Sequence, residues 1–248
     1  MGMHVITDSA GEPSDWKIKH FADISGSEEF LQQLFIEIPE LVDMTAIYGE
    51  DREKLKEAIL VVSVEGLMPA FEHLKSIRAS VVHEMPELNR MQLFENFEGR
   101  LWHAYKDLMQ KAAKRMEPEI GFLFCRHKEF EKGLLLWEKR QPVLAPAVAP
   151  YFRRQRADWQ NALADFRNYH EHKDDRDPRI FASRYDPAHA EKLFDSVWRA
   201  IADILAMLVG QHLSAGFKIA EIPPEDRDPV RPRRFRLFRP GFPNPSTP

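Results

Sequence analysis

The 248-residue chain has one cysteine and 11 glycines, and no uninterrupted apolar run in it approaches the roughly 20 residues needed to span a bilayer. Each scarcity excludes something. A lone thiol, Cys125, rules out an internal disulfide framework and every multi-cysteine zinc or iron–sulfur site. Its neighbours Phe122, Leu123 and Phe124 are apolar, so Cys125 is expected to pack. Glycine loops of the dinucleotide and P-loop types are absent, as are Gly-x-Ser-x-Gly and His-Glu-x-x-His. No glutamate is followed three residues later by histidine, which removes a ferritin-like di-iron bundle. The first residues, Met1-Gly2-Met3-His4, lack a charged start before an apolar core, and Ile6 breaks the myristoylation pattern. These features lead us to expect a cytoplasmic protein with no membrane partner and no cofactor.

What is present is ordinary globular composition, 44% hydrophobic and 30% charged, with an uneven charge distribution. The net charge is −4, yet residues 229 to 248 carry Arg231, Arg233, Arg234, Arg236 and Arg239 and no acid. The rest of the chain, with 30 basic and 39 acidic residues, is therefore at −9. An arginine arm on an acidic body has three destinations: the body itself, a partner subunit, or RNA, where Phe235 and Phe238 could stack on bases.

Apolar residues recur every three or four positions, the spacing of one helical face, and predict an all-α fold. Glu28 and Glu29 open a helix striped by Phe30, Leu34 and Ile38, which Pro39 should interrupt. A second stripe, Leu55, Ile59 and Val62, should kink or break at Pro69 before Phe71, Leu74 and Ile77 resume it. Pro86 fits the first turn of the clearest helix, with Leu88, Met91, Phe94, Leu101, Tyr105, Leu108 and Ala112, in which Glu98 is the only polar member; Pro118 ends it. A helix around 128–139 follows, then a proline-bearing connector from Gln141 to Pro150. Two long helices complete the series, Tyr151 to about Glu171 and Pro187 to about Leu213, the latter capped by Asp186. From Ile222 onward eight of 18 prolines fall in 27 residues, which predicts an extended tail without a paired strand of any length. The expected organisation is a helical region over 1–140, separate or within the same bundle, a helix pair over 141–221, and a tail over 222–248.

Reactive side chains concentrate between the two last helices. His170, His172 and Asp174 have a His-x-His-x-Asp spacing, but Asp175 and the helical context depart from the metallo-hydrolase loop that uses it, so no metal is expected. Arg167, Asn168 and His172 form Arg-Asn-x-x-x-His. A guanidinium meets phosphate charge, and an imidazole can take the proton of a ribose 2′-hydroxyl, so attack on the adjacent phosphorus needs no metal. Two other pairs share the spacing, Arg78 with His83 and Arg184 with His189, but neither has the asparagine nor lies between two long helices. On an unbroken helix His172 stands roughly 140° from Arg167. Either the helix unwinds near 169–171, or His170 is the base; His170 also continues the Leu163 and Phe166 stripe as a core residue.

This segment resembles the HEPN superfamily (higher eukaryote and prokaryote nucleotide-binding), over about residues 150 to 213. The resemblance implies a helical bundle, a homodimer that brings two motifs together, metal-independent RNase activity, and toxin–antitoxin or phage-defence roles with an antitoxin or nucleotidyltransferase partner. Carried to this chain, Arg167 stabilises phosphate charge, Asn168 orients, and His172 or His170 is the base, with the tail arginines contacting RNA. The reading from the other class is a non-catalytic helical interaction module that binds a protein or nucleotide.

Overall fold

The structure is a computed structural model and describes residues 2–6, 17–21, 29–82, 86–125, 127–165, 186–228 and 233–240. The fold is all-α, with two small two-stranded antiparallel sheets among the described residues. The first joins β1, Gly2–Ile6, to β2, Lys17–Phe21, with Gly2 opposite Phe21. Helix α1 passes from Glu29–Leu31 through a π-helical segment Gln32–Glu37 into Ile38–Asp43. Helix α2 repeats the scheme with Gly49–Val61, π segment Val62–Leu67 and Met68–Val82. Helix α3 runs Glu87–Trp102, π segment His103–Met109 and Gln110–Met116. After a 3-10 segment Pro118–Phe124 come α4, His127–Arg140, and α5, which joins Ala145–Gln155 to a π segment Arg156–Gln160 and residues 161–165. Helix α6 is Pro187–Gln211. Strand β3, Lys218–Glu221, pairs with β4, Phe235–Phe238.

Four expectations that rested on proline are corrected. Pro39 and Pro69 neither end nor break α1 and α2. Each stands second in the α-helical stretch after a π segment, and the N–H just before it reaches back five residues, Ile38 to Gln33 and Met68 to Ser63. Proline has no N–H to offer and its ring crowds the carbonyl four residues back. Those carbonyls, on Phe35 and Glu65, belong to the wider π turns, so the ring fits without breaking the rod. The stretch 141–150 is likewise mostly helix: only Gln141–Leu144 connects, Pro146 occupies the first turn and Pro150 lies inside α5. The tail does hold a paired strand, four residues long, in the proline-free window Phe235–Phe238.

Helix α6 is the axis of the core. Asp186 Oδ1 accepts the Ala188 N–H at 3.1 Å, and Pro187 supplies a first-turn residue that has no N–H to satisfy. Its buried Leu193, Phe194, Val197, Ile201, Ile204, Leu205 and Leu208 face α1, α2, α3 and the π segment of α5. Phe30, Phe71 and Phe194 meet with centroids 5.2 to 5.5 Å apart. Residues on both sides of position 140 share this one apolar cluster, Phe130, Leu134 and Trp137 with Phe152, Leu163 and Val197. The π segments of α2 and α3 pack on each other so tightly that a Cβ on Gly66 would lie 2.6 Å from the Ala104 Cβ. Among the described residues no helix is long and apolar enough to cross a membrane.

Candidate functional site

Two described helix ends bracket the segment that carries the Arg-Asn-x-x-x-His pattern. Helix α5 is described to Asp165 and α6 begins at Pro187; Arg167, Asn168, His170 and His172 lie outside the described residues. Beside these ends is a cavity of about 100 Å³ lined by Glu98 of α3, Asp158 and Trp159 of α5, and His189, Lys192 and Ser196 of α6. Glu98, the polar interruption of the α3 stripe, is 3% exposed. Trp159 donates its indole N–H to Gln155 at 2.6 Å, one turn back. His189 entered the sequence reading only through its spacing from Arg184; the fold sets it in this cleft. Two carboxylates facing one lysine and one imidazole do not make a phosphate-attracting surface, so phosphate charge at this end of the bundle would have to be met by arginine. Among the described residues no three His, Cys, Asp or Glu side chains converge as metal ligands.

A buried polar line runs behind the cleft. Gln160 donates to the Tyr105 hydroxyl at 2.7 Å, and that hydroxyl donates to the Leu123 carbonyl at 3.2 Å. Burial holds the Tyr105 phenol protonated, well above its ordinary range. Arg156 is 8% exposed, and its guanidinium sits 5.4 Å from the centre of the Phe130 ring. Burial lowers its pKa, opposed by Tyr105, Cys125, Asp165 and Glu131. Sequence reading missed Arg156 and Gln160, although both fall in register with Phe152, Trp159 and Leu163. Cys125 corrects another expectation. It caps the 3-10 segment and is exposed while Phe122, Leu123 and Phe124 are buried.

Part of the arginine tail is held by the body. Main-chain N–H groups of Arg234 and Phe235 donate to the Glu37 carboxylate at 3.0 to 3.1 Å. The Arg234 guanidinium spans Asp203 and Glu221, each at 2.8 Å, and Tyr151 donates to Asp203 at 2.7 Å. Arg233 pairs with Glu40 at 2.9 Å, Arg239 lies over the Phe217 ring at 4.6 Å, and Arg236 is exposed; Arg231 lies outside the described residues. Glu37 and Asp203 are both raised above the ordinary carboxylate range by burial, against the pull of the Arg234 and Phe235 N–H groups on Glu37 and of the Arg234 guanidinium on Asp203. Arg234 is raised, because Glu221 and Asp203 outweigh its burial. Compared with family models, curated proteins and solved structures, the chain matches none.

Proposed function

We propose that the chain is a HEPN-like, metal-independent endoribonuclease acting as a homodimer, in a toxin or phage-defence setting. The observation that carries this reading is Arg167-Asn168-x-x-x-His172 between two long helices of an all-α bundle, α5 and α6. In the reaction His172, or His170 in its place, takes the proton of a ribose 2′-hydroxyl, and the resulting oxygen attacks the adjacent phosphorus. The P–O bond to the next ribose 5′-oxygen breaks and a 2′,3′-cyclic phosphate remains. Arg167 stabilises charge on the phosphoryl oxygens and Asn168 orients the imidazole or the phosphate. The acidic lining of the neighbouring cleft supports a division of labour in which Arg167, rather than the Glu98 and Asp158 side, faces the phosphate. Incubation with RNA in the presence of a chelator tests this. Wild-type protein cleaves, while Arg167→Ala and His172→Ala each lower the rate by at least about 100-fold; variants that cut as well as wild type refute it.

A second reading, an interaction module without catalysis, is favoured by the tail. Arg233 and Arg234 dock on Glu40, Asp203 and Glu221 of this chain while Arg236 stays exposed, an arrangement suited to a docking arm. Deleting 222–248 then changes oligomeric state or partner capture; if both are unchanged, that role fails.

A further inference from the structure

Strand β3 has an open side. The Ile222 N–H donates to the Arg234 carbonyl at 2.7 Å, and in the register that sets Lys218 opposite Phe238 this fixes which residues bond to β4. Directly opposite residues of an antiparallel pair alternate between hydrogen-bonded and non-hydrogen-bonded positions. Ile222, Ala220 and Lys218 hold the bonded positions, so Ile219 and Glu221 turn their N–H and C=O away from β4. The corresponding residues of β4 are Leu237 and Phe235, and there the Phe235 N–H is taken by Glu37. No such cap stands on β3: the outward main-chain groups of Ile219 and Glu221 have no hydrogen-bond partner among the described residues. Beside them lies a groove of about 760 Å³, lined by Gln141 and Leu144 from the α4–α5 connector, Met207 and Gln211 from α6, and Lys218 and Ile219 from β3. Val143, next to Leu144 in the chain, is 88% exposed, the most of any large apolar side chain among the described residues. Asp203 and Glu221, the acids of the groove, are engaged by Tyr151, Arg234 and Arg227, whereas exposed Lys218 forms no ion pair with a described residue.

We infer that this groove docks an extended peptide segment of another protein, added as a third strand against β3 and carrying an acidic residue next to an apolar one. Unpaired donors and acceptors along a strand are met by another extended backbone. Successive side chains of that backbone point to opposite faces, so every second one shares the face of Ile219, where Leu144 and Met207 offer apolar surface. The peptide residue opposite Ile219 is therefore apolar. Its neighbour stands opposite Lys218 at a non-hydrogen-bonded position, where cross-strand side chains approach most closely, and a carboxylate there meets the lysine. A second copy of the chain does not suit the site, because a two-fold contact sets groove against groove and fills neither. The inference uses no residue of the nuclease reading and stands or falls apart from it.

The experiment selects binders to the immobilised full chain from a random-peptide library displayed on phage, then measures the enriched peptides in solution by fluorescence anisotropy. They should share an apolar–acidic pair among strand-forming residues. N-methylation at either of two peptide residues two positions apart, those opposite Ile219 and Glu221, should weaken binding about fivefold, the worth of one hydrogen bond. N-methylation of the residue between them, whose N–H points the other way, should leave affinity unchanged. Lys218→Glu, at an exposed position that leaves the β3–β4 ladder intact, should weaken the same peptides about fivefold and turn the selection toward basic residues. A library that yields no binder of the full chain overturns the inference, and binding gained only by a chain cut after Pro240 assigns the groove to the chain's own last residues instead. Peptides that tolerate N-methylation at every position, or that bind Lys218→Glu as well as wild type, overturn it too. A wild-type dimer that Lys218→Glu dissociates in sedimentation gives the groove to a second copy and overturns it equally.

Discussion

Arg234 and Arg156 are both arginines drawn into the protein, and they are treated in opposite ways. Arg234, its side chain 11% exposed, is surrounded by Asp203 and Glu221 and has its own backbone gripped by Glu37. Arg156, about as buried, lies over the Phe130 ring and forms no ion pair with a described residue, Asp165 and Glu131 acting on it only through their charge. A cation over a ring recovers about 1 to 2 kcal/mol when desolvated. Removing an ion from water costs several. The difference separates a charge paired into the fold from one held against an aromatic ring.

The sharpest way to break that comparison is Arg234→Ala. It strands Asp203 beside Glu221 and unfastens β4 from the body, and should lower unfolding free energy by about 3 kcal/mol in urea titration. A loss below about 1 kcal/mol would mean that the strand is held by its ladder and apolar contacts instead. Next in size is Tyr105→Phe, which deprives the buried Leu123 carbonyl of its donor and Gln160 of its acceptor. The cost expected is about 1.5 kcal/mol. A neutral result would show that water already serves these groups. The smallest effect concerns Glu37. Its pKa in the fold is raised above the ordinary 4.5, so its titration favours the folded chain below that value, and the benefit is lost as pH rises through the folded pKa. Glu37→Gln should therefore flatten the decline in stability as pH rises above the ordinary 4.5, which denaturant midpoints at stepped pH will register. An equal or steeper decline in the variant would place the titration elsewhere, with Asp203 the next group to examine.

Local order was largely readable in the residues. Asp186 before Pro187, and the steps from Leu193 to Leu208, define α6 without reference to anything else. Period alone also delivered α3 and its buried Glu98. Three things were not readable, for distinct reasons. A π turn changes helical register without changing composition, so Pro39 and Pro69 looked like breaks. The abundance of proline beyond Ile222 hid a four-residue window able to pair with β3. The tail clamp joins residues 197 positions apart, Arg234 to Glu37, and no local periodicity records such a meeting. Arg167 and His172 lie outside the described residues, so that reading rests on the sequence; the acidic cleft between the helices was not legible, because Asp158, His189 and Lys192 meet Glu98 only across three helices. Arg156 and Gln160 sat on the apolar stripe of α5 and were absorbed into it.

Each π segment amounts to one surplus residue threaded into an otherwise regular rod. Excising a single position from Val62–Leu67 would therefore not simply shorten α2. It would close the wide turn into an ordinary helical one and press the Pro69 ring against the carbonyl four residues back, so that the rod would kink or break just ahead of Phe71, Leu74 and Ile77. The length of these rods, counted residue by residue, is as constrained as their hydrophobicity, and one-residue deletions there should be tolerated far less well than substitutions at the same positions.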